Sequence, residues 1–126
     1  MTVFRALSIV RPGGQAIARR EKTVEVRRWR PPTVPLTDLL IIENTVYLSV
    51  DGAEDPDGRV VALVDVVAVT PWTPDLFAAA CATRFAEGYL AWHLTNIRAV
   101  SVARPVRAAR GIYELDLDAA AMIVVP

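Results

Sequence analysis

Lys22 is the only lysine in the chain, and it opens the run Lys22-Thr23-Val24-Glu25-Val26-Arg27-Arg28-Trp29. A strand here would alternate its side chains, placing Thr23, Glu25, Arg27 and Trp29 on one face and Lys22, Val24, Val26 and Arg28 on the other. A carboxylate, a guanidinium and an indole then share one surface, with an amine at the strand's start. Glu25 can accept hydrogen bonds from a base edge such as a cytosine amino group, or it can pin Arg27 in a salt bridge. The guanidinium fork of Arg27 suits bidentate contact with phosphate or carboxylate. Trp29 can stack a base or pack on Pro31, Pro32 and Pro35. Lys22 can contact a ligand directly. It does general-base or nucleophilic work only where burial or neighbouring cations favour the neutral amine. Arg20, Arg27 and Arg28 push that way, and Glu25 opposes them.

The elements that must position these groups fit one domain, residues 1–126, long enough to bury a core without metal or disulfide staples. The single cysteine, Cys81, has no partner for an internal disulfide; in its alanine-rich setting it reads as a small buried hydrophobe on a helix. One histidine and one cysteine leave a structural zinc site without its usual ligands, and no cofactor is called for. The sequence has no membrane-spanning stretch or signal-peptide pattern, so a cytoplasmic protein is the default expectation. The zero net charge hides a pattern. Residues 1–30 carry eight basic and two acidic side chains, and residues 98–110 carry four arginines and no acid, whereas residues 38–97 carry nine acids against two bases. If the two basic segments meet, they form a surface that attracts phosphate backbones; otherwise they are ordinary solvated arginines.

Along the chain, Val3 to Val10 reads as a first strand and Arg11-Pro12-Gly13-Gly14 as its punctuation. Gln15 to Arg20 suits a short helix anchored by Ile17, and Lys22 to Trp29 a second strand. Leu39 to Val50 gives one bent strand or two short ones. The acidic, turn-rich stretch from Asp51 to Gly58 reads as a loop. Arg59 to Thr70 is a central strand buried on much of both faces, with Asp65 inside it requiring a partner, by default an arginine. Thr73-Pro74-Asp75 is a helix start, and the helix is expected to run to about Glu87, where Gly88 stops it. Tyr89 to Val100 suits a strand with Trp92 in the core; Asn96 and Arg98 share its parity and reach toward the site at the wetter end. Arg104, Arg107 and Arg110 form either a peripheral phosphate track or solvated surface. Gly111 to Leu117 alternates cleanly, and the tail can add a last strand. Strands outnumber helices, which argues for a mainly β fold with flanking helices, closed into a small barrel.

The residues Ala6-Leu7-Ser8-Ile9 with Arg11-Pro12, then Lys22-x-x-Glu25-x-Arg27-x-Trp29, resemble the opening of an ASCH domain. Trp92-x-Leu94-x-Asn96-Ile97-Arg98 and Gly111-Ile112-Tyr113-Glu114-Leu115 resemble its closing strands. The resemblance spans roughly residues 5–117. It implies a PUA-like barrel with helices beside a cleft, and binding of RNA or a nucleotide-like small molecule. The cleft would be lined by Lys22, Glu25 and Arg27 and flanked by Arg11 and Trp29. Some members resemble ribonucleases and one branch hydrolyses the acetyl amide of N4-acetylcytidine; on the alternative of a small hydrolase acting on RNA or on a modified nucleoside, Lys22 activates the nucleophile and Glu25 is catalytic with it, although the amide-hydrolysing branch has threonine where Glu25 stands. It also needs a second acid, for which Asp65 and Glu87 are loose candidates. A third alternative is a protein-interaction module without nucleic acid, using the apolar tail. Two departures bear on the cleft: Pro12-Gly13-Gly14 replaces the family's Pro-Trp-Ala, and Arg20 stands where the family has glycine.

Overall fold

The computed structural model describes residues 1–125. In chain order the elements are β1 (Thr2–Val10), α1 (Gly13–Ala18), β2 (Val24–Arg27), β3 (Leu36–Asn44), β4 (Glu54–Pro71), β5 (Leu90–Ser101), β6 (Val106–Ala109), β7 (Ile112–Leu117) and β8 (Ile123–Val124), with short 3-10 turns at Pro74–Leu76 and Ala119–Ala121. The strands form one mixed sheet in the order β2-β5-β4-β3-β1-β7, with β6 added to β4 and β8 to β5. Among the described residues only the β1–β3 pair is parallel, and the chain between them carries α1 and β2.

The apolar run in β3 explains the core. Leu39 and Ile41 pack into one cluster with Leu7, Ile17, Val64, Val66 and Trp92. Leu40 and Ile42 point the other way, against Ala6, Val60, Val100 and Leu115. Both faces of this strand are thus buried, as a continuous apolar run demands. Ile17 is fully buried and fixes α1 over the first cluster. Gly14 lets the helix sit close: a Cβ there would lie 2.8 Å from the Cβ of Glu43, whose Oε2 accepts the Gln15 backbone N–H at 2.8 Å. The buried Glu43 carboxylate thereby satisfies a donor that a helix start leaves open.

Four expectations are corrected. The barrel is not closed: among the described residues β2 pairs only with β5, and β1 only with β3 and β7, so no backbone ladder there joins the ends of the curled sheet. The stretch 73–87 is not an α-helix but a 3-10 turn followed by irregular turns. Its Ala79 carbonyl accepts the N–H groups of Thr23 and Val24, and its Ala80 carbonyl accepts Lys22 Nζ, so neither is left for the i→i+4 ladder. Cys81, with φ +51°, sits in the left-handed region and is exposed rather than buried. The acidic loop, finally, begins as strand: Glu54 and Asp55 pair with Ala109 and Ala108 of β6.

Arg20 adopts φ +63°, the left-handed conformation that glycine favours. Its Nη2 donates to the Ile97 carbonyl at 2.8 Å, offsetting a backbone cost of about 1–2 kcal/mol. Replacing Arg20 with alanine removes the bond and keeps the strain, whereas glycine removes both. We therefore expect R20G to be more stable than R20A by about 1 kcal/mol in denaturant unfolding; R20A equal to or above R20G would refute this account.

Candidate functional site

The open side of the sheet is a cleft of about 570 Å³. Ser8, Ile9 and Val10 of β1 line one wall, and Glu25, Val26 and Arg27 of β2 line the other with Lys22. Where a backbone ladder is missing, a side chain spans the gap: Arg27 Nη2 donates to the Ser8 carbonyl at 3.1 Å.

Lys22, Glu25 and Arg27 converge, by a route strand alternation alone does not give. Lys22 lies two residues before β2, where the chain is still turning: its backbone N–H bonds the Ala16 carbonyl. Period-two parity does not apply there, so its side chain meets Glu25 rather than facing away. Nζ lies 3.1 Å from Glu25 Oε1 and donates to the Ala80 carbonyl at 2.8 Å. Within β2, Glu25 and Arg27 do share a face, and Arg27 Nε and Nη2 both reach Glu25 Oε2 at 2.8 Å. Lys22 and Glu25 are buried. Burial alone pushes the Glu25 carboxyl up. Arg27 and then Lys22 outweigh it through charge, aided by their hydrogen bonds, and its pKa lies below the ordinary 4.5.

Ser8 ties this centre to the far strands. Its Oγ lies 2.8 Å from the Tyr113 hydroxyl and accepts the Ala109 N–H at 3.2 Å. The Tyr113 hydroxyl donates to the Arg107 carbonyl at 3.0 Å. Burial pushes the Tyr113 phenol above its ordinary value of 10.0, against opposing hydrogen bonds from Ser8 and Ala109.

Trp29 stands at the cleft, 37% exposed. Its ring meets Trp92 edge to face at 4.9 Å, and its carbonyl accepts the Trp92 indole N–H at 3.1 Å. Trp92 is fully buried, as its place in the strand pattern predicts. Tyr47, Tyr89 and Asn44 also line the cleft and were not singled out by sequence reasoning, and Arg28, which the sequence offered only as a cation near Lys22, lines it too. A signal for one pair existed: β2 and β5 are antiparallel with Arg27 opposite Leu90, so Arg28 falls beside Tyr89, and its guanidinium lies 5.1 Å from that ring's centroid.

The remaining predicted residues lie elsewhere. Arg11 is exposed and outside the cleft lining; its backbone N–H bonds Asn44. Asn96 and Arg98 do not reach the cleft. Asn96, at φ +48°, donates to Asp65 Oδ2 at 3.1 Å. Arg98 bridges Asp65 at 3.1 Å and Asp38 at 3.0 Å, giving Asp65 the arginine partner its position requires. Burial pushes the Asp65 carboxyl up, but the Asp38 N–H, Asn96 and Arg98 hold it below its ordinary 3.8. Irregular pairing on both sides of Asp65, in β3–β4 and β4–β5, explains why parity failed for Asn96 and Arg98. Arg107 pairs with Glu54 and lies over Tyr113, Arg110 pairs with Asp51 and lines the cleft, and Arg104 is exposed. Of these three arginines only Arg110 adjoins the cleft. Among the described residues no cluster of histidine, cysteine and acidic side chains could hold a metal.

Removing one member of a buried ion network costs about 3–5 kcal/mol. E25Q, which keeps the shape and loses the charge, should lower unfolding free energy by about 3 kcal/mol at neutral pH. Because the folded-state pKa of Glu25 is depressed, its contribution is complete above the unfolded value near 4.5 and is lost as pH falls through the lower folded value. The pH slope of stability in that acid window should therefore be shallower in E25Q than in the parent. Equal slopes in urea titrations would show that Glu25 does not supply it.

A comparison with curated proteins finds no match. Among solved structures, a mutant form of the ASCH protein ZmASCH from Zymomonas mobilis aligns at 18% sequence identity over 81% of this chain and 73% of that chain, with a TM-score of 0.49. The family model described as the ASCH domain matches residues 7–103, from β1 to just beyond β5 and through the whole Lys22–Trp29 run. The chain belongs to the ASCH domain family.

Proposed function

We propose that this protein binds RNA or a nucleotide-like molecule in the cleft between β1 and β2. One observation carries the reading: a buried Lys22–Glu25–Arg27 centre opens into a recess of about 570 Å³ that Trp29, Tyr47 and Tyr89 also line. That volume lies in the range of about 300–1,000 Å³ typical of small-molecule sites. Aromatic faces stack bases without regard to sequence. Two of the three Nζ donors of Lys22 are used by Ala80 and Glu25, which leaves one for a ligand. Membership of a family generally thought to bind RNA or act on related substrates supports the same reading.

The geometry favours binding over amide hydrolysis. Nζ meets Glu25 directly at 3.1 Å, which leaves no place between them for a water or a substrate oxygen. Glu25 also has both oxygens engaged by cations, so it serves as the anchor of the centre rather than as a free acid or a reader of base edges.

Titration of a short single-stranded RNA, followed by tryptophan fluorescence, tests the reading. Affinity should fall with rising salt, and K22M should weaken it by about tenfold, as expected for one charge-assisted hydrogen bond, with folding of the variant checked by circular dichroism. Unchanged affinity in a folded K22M protein would remove Lys22 from the site. Turnover of N4-acetylcytidine that is lost in K22M would replace binding with hydrolysis.

A further inference from the structure

Four cations, Lys22, Arg27, Arg28 and Arg110, line the cleft against one carboxylate, Glu25. The charges do not cancel. Glu25 is shared between Lys22 and Arg27, and Arg110 is matched from outside the lining by Asp51 at 2.7 Å. Arg28 has no acidic partner among the described residues. It is exposed and rests on the Tyr89 ring at 5.1 Å, a contact that orients the guanidinium without neutralising it. Free donors are also in excess. Arg27 uses Nε and Nη2 on Glu25 and Ser8, leaving Nη1 without a protein acceptor among the described residues. The cleft therefore presents positive charge and N–H groups, and no carboxylate free to accept from a ligand.

Neutral nucleosides answer this surface poorly. Their base edges mix donors with acceptors, and they bring no charge to meet Arg28. A phosphate ester brings only acceptors and at least one negative charge, and guanidinium groups bind it through paired, charge-assisted hydrogen bonds.

We infer that the cleft recognises the phosphate of its ligand, with Arg28 as the main phosphate contact beside Lys22 and Arg27, so that a nucleotide or an RNA phosphate is selected over the corresponding free nucleoside. This rests on the nucleotide-binding reading above and narrows it to phosphorylated ligands. Arg28 is the residue that sets the selection, because the other three cations are already partly matched.

The test is calorimetric titration of the parent protein with the four ribonucleosides, their 5′-monophosphates, and a short oligouridine carrying either a 5′-phosphate or a 5′-hydroxyl. At least one monophosphate should bind about tenfold or more tightly than its nucleoside at low salt, the scale of one charge-assisted hydrogen bond. Arg28→Ala should erase most of that ratio by weakening monophosphate binding far more than nucleoside binding, while Arg28→Lys keeps part of it. Stronger binding of the phosphorylated oligomer than of any mononucleotide would identify an RNA end as the source of the phosphate; the reverse order would identify the free nucleotide. Nucleosides binding as tightly as their monophosphates would overturn the inference and leave the nucleoside-binding reading standing. Absence of binding by every probe would overturn both.

Discussion

A carboxylate as deeply placed as Glu25 stays ionised only if cations come to it, and much of the surrounding structure follows from that demand. Lys22 approaches from the turn before β2, which needs the left-handed step at Arg20 and the Ala80 carbonyl to hold its amine. Arg27 approaches from within β2 and carries the network across to Ser8 on β1. From Ser8 it continues to Tyr113 and Ala109. One charged centre thus binds together β1, β2, β6, β7 and the 74–88 segment.

The irregularity of that last segment has the same cause. Its alanines favour helix by intrinsic propensity, yet the carbonyls of Ala79 and Ala80 are committed to Thr23, Val24 and Lys22. Long-range hydrogen bonds replace local ones. A small apolar cluster of Val24, Trp72, Ala80 and Ala91 holds the segment down, so Lys22 is fixed by packing as well as by charge. The second ion cluster, around Asp65, works independently. It ties Asp38, Asn96 and Arg98 across the irregular centre of the sheet and occupies side chains that strand parity assigned to the cleft.

Much of the fold was legible because the hydrophobic pattern is strong. The first strand, the short helix with Ile17 inside, the long central strand and the position of Trp92 all follow from periodicity. The Glu25–Arg27 pair follows from strand alternation. What did not follow was set by contacts distant in sequence: the opposition of Lys22 to Glu25, the loss of the helix after Thr73, the exposure of Cys81 and the gap in the barrel. Asn96 and Arg98 were misplaced because a bulge shifts alternation by one residue and leaves no mark in composition. Arg28 and Tyr89 were legible only through the register between two strands, which no single segment carries.

Joining β1 to β2 by an arginine side chain instead of a ladder has a consequence for how the sheet makes room for a recess. Among the described residues no backbone hydrogen bond crosses the seam, so the Arg27–Ser8 bond spans it without claiming a ladder position from either strand. A closed cylinder would have to sacrifice sheet pairing to make such a recess. This protein keeps its recess open by leaving one seam to a side chain rather than to the sheet.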